Sequence, residues 1–189
     1  MAIPDDDMTE DDEGSYTNNV LAALALAISD RLSDNTAEAA KHGPSAPAIL
    51  TTLRFTPGLP IERLAQTVGM TVPGAVQLLN RLEADGLVER IPGSDRRRRH
   101  PQLTAAGKRV AAKVLSARAL VVEHALATIG ASDRAVLTGI VERMLTQLSG
   151  TRDLADRICR LCDERSCPDE RCPSEAALPP ELRAGTLCP

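Results

Sequence analysis

The chain has 189 residues, 26 acidic and 22 basic, for a formal charge of −4, and a length that suits one domain with appendages. Hydrophobic residues make up 43% but aromatics only 1%, with Tyr16, Phe55 and no Trp, so a core must be built from Ala, Leu, Val and Ile. No apolar run reaches the roughly 18 residues of a membrane span, and no basic, apolar leader opens the chain, so a cytoplasmic location is expected.

Residues 1–14 hold seven acids (Asp5, Asp6, Asp7, Glu10, Asp11, Asp12 and Glu13) and no base. Such a stretch cannot offset its ordering entropy and reads as a disordered acidic tail. Tyr16 to His42 is helical in pattern, with Leu21, Leu24, Leu26, Ile28 and Leu32 forming a broad apolar face. Gly43-Pro44 stops it. Ala46 to Arg54 reads as a short second helix, closed by Pro57-Gly58.

Pro60 to Thr104 is the most informative stretch. Ile61, Leu64, Ala65 and Val68 recur at the spacing of one buried helical face. Gly69 permits a sharp turn, Thr71 suits an N-cap, and Pro73 sits in the first turn of the next helix. Ala75, Leu78, Leu79 and Leu82 repeat the apolar face up to Asp85-Gly86, which completes a helix-turn-helix. Leu87 to Pro92 then alternates as a half-buried strand, GSDRRRRH is a turn with four consecutive arginines, and PQLT returns as a second strand. A hairpin with a basic tip beside a helix-turn-helix is a winged helix. Its second helix would enter the major groove, and its wing would reach phosphate or the minor groove. Charge agrees: Arg54 to Arg109 carries ten bases against five acids, inside an acidic protein.

The run VGMTVPGAVQLLNRLEADGLVER, the Asp95-Arg96-Arg97 of the wing and LTAAG at Leu103 to Gly107 resemble the MarR family of bacterial regulators. The resemblance covers Tyr16 to Leu148 in layout and is specific in the central part. It implies that the first helix joins the last helices in a dimer interface, and that effectors sit between that region and the DNA-binding lobe. It also implies that Thr71, Val76, Gln77 and Arg81 face the groove. Val76 and Gln77 depart from the small polar and basic residues common there in the family. Gln77 would suit adenine and Val76 a thymine methyl, each worth about 1–3 kcal/mol of discrimination. Arg96, Arg97, Arg98 and Arg99 are then phosphate or minor-groove contacts, with Asp95 bracing an arginine.

Thr104 caps a helix expected to run to about Ile129, with Val110, Val114, Leu115, Ala117, Val121 and Leu126 facing inward. Gly130 breaks it and Ser132 caps the next, which continues through Val136, Leu137, Ile140, Val141, Met144, Leu145 and Leu148 to about Ile158 or Cys162. These apolar helices exceed what one subunit can bury. A two-fold homodimer would cover them and match a palindromic operator.

Cys159, Cys162, Cys167 and Cys172 follow with the spacing C-x2-C-x4-C-x4-C; Cys188 is the odd one out. Four thiolates suffice for one tetrahedral site, and the spacing is similar to that of a zinc knuckle, with Cys167 in place of its His. Pro168 and Pro173 directly follow cysteines, a habit also seen at iron–sulfur ligands. Three readings stay open: a bound metal, as Zn2+ (favoured by spacing) or an iron–sulfur cluster; a metal-free thiol switch; and inert cysteines.

No phosphate loop, HExxH, nucleophile elbow or Cys–His pair is present, so no enzyme is expected. The fold class expected is mainly α with a small β-hairpin wing: a winged helix-turn-helix with long N- and C-terminal dimerisation helices. The divisions are a tail at 1–14, a dimerisation helix at 15–43, the DNA-binding region at 44–104, dimerisation helices at 105–158 and a Cys-rich tail at 159–189. The function expected is a sequence-specific DNA-binding transcriptional regulator, read as a repressor. It would bind double-stranded DNA as a homodimer under a small-molecule or redox effector. The alternative is a metal-binding adaptor whose winged helix docks a partner protein.

Overall fold

The computed structural model describes residues 10–92, 99–167 and 171–183. Nine helices and one hairpin lie among them: α1 (Glu10–Ala40), α2 (Ala46–Phe55), α3 (Ile61–Val68), α4 (Val72–Ala84), β1 (Val88–Pro92), β2 (Arg99–Leu103), α5 (Ala105–Ala125), α6 (Ala131–Leu148), α7 (Arg152–Cys159), α8 (Pro173–Ala176) and α9 (Pro180–Arg183).

The centre is α2, in which every residue from Ala46 to Leu53 is buried. Ile49, Leu50 and Leu53 meet Leu64 from α3, then Leu78, Leu79 and Leu82 from α4. Val88, Leu103, Ala111 and Val114 close the same cluster from the hairpin and α5. This core is wholly aliphatic, as the near-absence of aromatics requires. Backbones can come close on such small side chains, as the start of α5 does on the segment before β1. A Cβ on Gly107 would stand 2.0 Å from the Leu87 carbonyl oxygen, so only glycine fits there. Thr104 reinforces the junction. Its hydroxyl donates to Gly86 O at 2.7 Å and accepts from Gly107 N at 3.0 Å, as the expected cap should.

The hairpin is antiparallel, pairing Val88 with Leu103 and Pro92 with Arg99. Only its base is buried. Ile91, inward by the alternation of the sequence, is 36% exposed because the wing projects beyond the helices. Arg99 and His100, expected in the turn, are the first residues of β2.

Three helix boundaries correct the sequence reading. Helix α1 begins at Glu10, so the last residues of the expected tail are helical. Acidic residues in a first helical turn are favoured by the helix dipole. Helix α5 ends at Ala125 rather than near Ile129, and α6 starts after Gly130 without a side-chain cap from Ser132. The largest correction lies beyond Leu148. The chain does not continue as one helix to Ile158 or Cys162. It breaks at Ser149-Gly150, and Thr151 starts α7 by accepting from Leu154 N at 3.3 Å.

Helix α1 runs along α5, and α2 lies against both. Helix α6 has no buried residue of its own and touches α8. Among the described residues no helix is long and apolar enough to cross a membrane.

Candidate nucleic-acid interface and cysteine cluster

The turn between α3 and α4 is built as its residues require. Gly69 takes φ +72°, a left-handed conformation, and Met70 N donates to Ala65 O at 2.9 Å to finish α3. Thr71 then caps α4, accepting from Gly74 N at 3.3 Å. Ala75, Leu78, Leu79 and Leu82 anchor the inner side of α4 in the core. Thr71, Gln77 and Arg81 are exposed on the other side, and Val76 is half-buried between.

The wing is tied to this helix. From the middle of β1, Arg90 donates to Asn80 Oδ1 at 2.6 Å and pairs with Glu83 at 3.0 Å, both on α4. Arg99 donates to the Arg90 carbonyl at 3.0 Å, so at the loop end of the strands it also braces the hairpin. Gln102 bonds Glu89 at 2.8 Å across the strands. These contacts fix the hairpin's direction relative to the exposed side of α4. Sequence reasoning missed Arg90, since an arginine in a strand carries no sign of which helix it will reach.

A second set of contacts holds α7 on α3. Asp156, fully buried, accepts from Arg152 Nε at 2.8 Å and pairs with Arg63 of α3. Arg63 also reaches Asp153 at 2.6 Å, and Gln66 donates to Asp153 at 2.7 Å. Arg152 extends the chain of charges to Glu175 of α8 at 2.6 Å. Burial pushes the Asp156 carboxyl above its ordinary pKa, while the two guanidiniums pull it back. At the other end, the Arg157 guanidinium lies over the turn itself, 2.9 Å from where a Cβ on Gly69 would be. Helix α7, within the region 105–158 expected for dimerisation, thus packs on α3 of the helix-turn-helix.

Cys159 ends α7, and Cys162 N donates to its carbonyl at 2.7 Å. Cys172, buried, precedes α8. The Cys159 thiol is hydrogen-bonded to Cys162 and Cys172. Donation to Cys162, with burial, pushes Cys159 up to about 12, and the same bond lowers Cys162. Cys172 is raised by its bond to Cys159 and by burial. Cys167 lines the same cavity as these three, against Thr51 and Thr52 of α2. Among the described residues, no three His, Cys, Asp or Glu side chains are already disposed as a metal ion requires. The Cys159 sulfur is instead engaged by those of Cys162 and Cys172.

A model of the MarR family matches residues 43–99, from before α2 to the start of β2. The winged helix-turn-helix of this chain is thus the part that matches the MarR family. The chain is similar in structure to the YusO protein of Bacillus subtilis, with TM-score 0.62 and 20% identity over 72% of this chain and 96% of that one. The transcriptional regulator PA3341 is 27% identical, with TM-score 0.55, covering 72% of this chain and all of its own. A MarR family protein of Mycobacterium tuberculosis, Rv2887, solved in complex with DNA, gives TM-score 0.54 at 20% identity over 67% and 95% of the two chains. No curated protein matches the sequence. MarR family members are transcription regulators rather than enzymes.

In this region, Val76, Gln77 and Arg81 lie on α4 with Thr71 as its cap, and Arg99 stands at the loop end of the hairpin. Arg96, Arg97 and Arg98, with Gly93, Ser94 and Asp95, lie outside the described residues, as does Cys188. Cys159, Cys162, Cys167 and Cys172 come together on one cavity.

Proposed function

We propose that this chain is a DNA-binding transcription regulator that reads duplex DNA as a homodimer. The observation that carries the reading is the exposed side of α4, where Thr71, Gln77 and Arg81 stand clear of the core beside a wing braced by Arg90. A helix presented in this way fits the major groove, and Gln77 and Arg81 offer donors and an acceptor to base edges or phosphate. The MarR-family match and the DNA-bound Mycobacterium tuberculosis neighbour support the same partner.

Dimerisation is supported by apolar surface that one subunit leaves uncovered. Tyr16, Leu24 and Leu26 of α1 are 65%, 49% and 66% exposed, and Val136 and Leu148 of α6 are 64% and 62%. Patches of that kind mark an interface, and a two-fold arrangement would present two copies of α4 to a palindromic operator. Repression follows from occupancy of such an operator. A cavity of about 270 Å3 between α1, α2 and the loop after α7, bordered by Ser29, Thr36 and Arg160, has room for a small-molecule effector. This reading places the protein in the cytoplasm.

Fluorescence anisotropy of labelled duplexes in dilute salt tests it. Selected duplexes should bind at a stoichiometry of two chains per site. Arg81→Ala and the double change Arg96→Ala/Arg97→Ala should weaken binding roughly tenfold or more, and the double change should flatten the salt dependence by about two phosphate contacts. Failure of every duplex to bind, or indifference to both variants, would instead favour docking of a protein partner.

A further inference from the structure

Four cysteines in one place have no part in reading DNA. Their cavity measures about 20 Å3, on the scale of a single small occupant. Its walls contain unusual polar groups. Among the described residues, five buried side chains have a polar atom without a hydrogen-bond partner, and four of these residues line this cavity. Three of the four atoms can donate: the hydroxyls of Thr51 and Thr52 and Nη1 of Arg152. The fourth, Glu175 Oε2, is an acceptor on a carboxylate already paired with Arg152 through its other oxygen.

Unpartnered donors around sulfur call for negative charge on that sulfur. Disulfide sulfurs are neutral and only weak acceptors, so they would satisfy these donors poorly. Four thiolates around a divalent ion carry a net charge of −2, which N–H and O–H groups and the adjoining Arg160 guanidinium can meet.

We propose that Cys159, Cys162, Cys167 and Cys172 bind one zinc ion as a tetrathiolate, and that this ion locks α7 onto the first helix of the helix-turn-helix. On binding, each thiol would give its proton to solvent and its sulfur would bond the zinc, the Cys159 bonds to Cys162 and Cys172 being given up. The lock follows from position. Cys159 is the last residue of α7; Asp156, one turn earlier, holds Arg63 of α3, and Arg157 covers Gly69 in the turn before α4. Closing the site fixes the end of that strut, and opening it leaves the strut held by charges alone. Any effect on operator affinity rests on the DNA-binding reading above, whereas the site and the lock do not.

The test uses the full-length protein, with elemental analysis, an absorption spectrum and hydrogen exchange. The expected result is a colourless protein with about one zinc per chain. Stripping the metal with a chelator under reducing conditions should speed amide exchange in residues 61–68 by roughly tenfold, and added zinc should restore it. Cys162→Ser should lose the zinc while keeping its helical circular dichroism; Cys188→Ser should keep both. A brown, iron-containing protein would overturn the zinc assignment, as would metal-free protein with paired cysteines. Zinc present with unchanged exchange in α3 would overturn the lock. Duplex binding by the same samples is a separate readout, so its failure alone would count against the DNA reading and not against the site.

Discussion

The head and the tail of this molecule are held together by different chemistry. In the head, Leu50, Leu64, Leu79 and Leu82 have no exposed surface, and the core shared by α2, α3, α4 and α5 is hydrocarbon. In the tail, from α7 to Leu178, half of the buried residues are polar: Asp156, Ser174 and Glu175, against Ala155, Cys172 and Leu178. Apolar burial stabilises in proportion to area, at about 25 cal/mol per Å2, and is indifferent to charge state. A buried ion-pair network stabilises only while each member keeps its partners. The lesson is that the tail is the conditional part of the structure, and that its condition is communicated to α3.

The largest effect should come from the head. Leu79→Ala removes a fully buried side chain from the middle of α4, which should cost about 3–4 kcal/mol of global stability. Urea unfolding should show a lower midpoint with an unchanged slope. A loss below about 1 kcal/mol would mean that α4 is anchored elsewhere, and the contrast with the tail would fail.

The next effect should be confined to the tail. Asp156→Ala leaves Arg63 and Arg152 facing one another without the carboxylate between them, a loss of about 3 kcal/mol for a broken buried pair. Limited proteolysis should then cut between α7 and α8, while the unfolding midpoint of the head moves little. Arg63 keeps Asp153, and Arg152 keeps Glu175, so high salt should deepen the defect by screening those remaining pairs. If the whole protein unfolds together instead, tail and head form one cooperative unit.

The same contrast explains what could be read from the sequence. The head is legible because its determinants are local. Leu64, Ala65 and Val68 share a face by period, Gly69 and Gly86 supply positive φ, and Thr71 and Thr104 cap the helices that follow them. The tail is not, because its determinants are distant: Arg63 meets Asp156 across 93 residues of sequence. One local signal there was available and went unused. Ser149-Gly150-Thr151 followed by Asp153 is the end of one helix and the capped start of another, yet the apolar period of α6 reads straight through it. The grouping of the cysteines was legible from their spacing. The polar walls that Thr51, Thr52 and Arg152 give to their cavity were not, since α2 lies about a hundred residues upstream.

The smallest change can separate the two jobs assigned to one head residue. Thr71 caps α4 and is also exposed on the side proposed to face DNA. Thr71→Ala removes the hydroxyl that accepts from Gly74 N, at a cost of about 1 kcal/mol. Any loss of duplex affinity in that variant mixes a frayed helix start with a lost contact. Thr71→Ser keeps the capping oxygen and removes only the methyl group, so it should retain stability within about 0.5 kcal/mol. If Ser restores both stability and affinity, the hydroxyl accounts for both, and Thr71 acts through the position of α4. If Ser restores stability but not affinity, the methyl touches a base, and specificity at that position should change with it. Gln77→Ala provides the calibration, because Gln77 is exposed and the cap is made by Thr71: it should alter affinity while leaving the unfolding midpoint where it was.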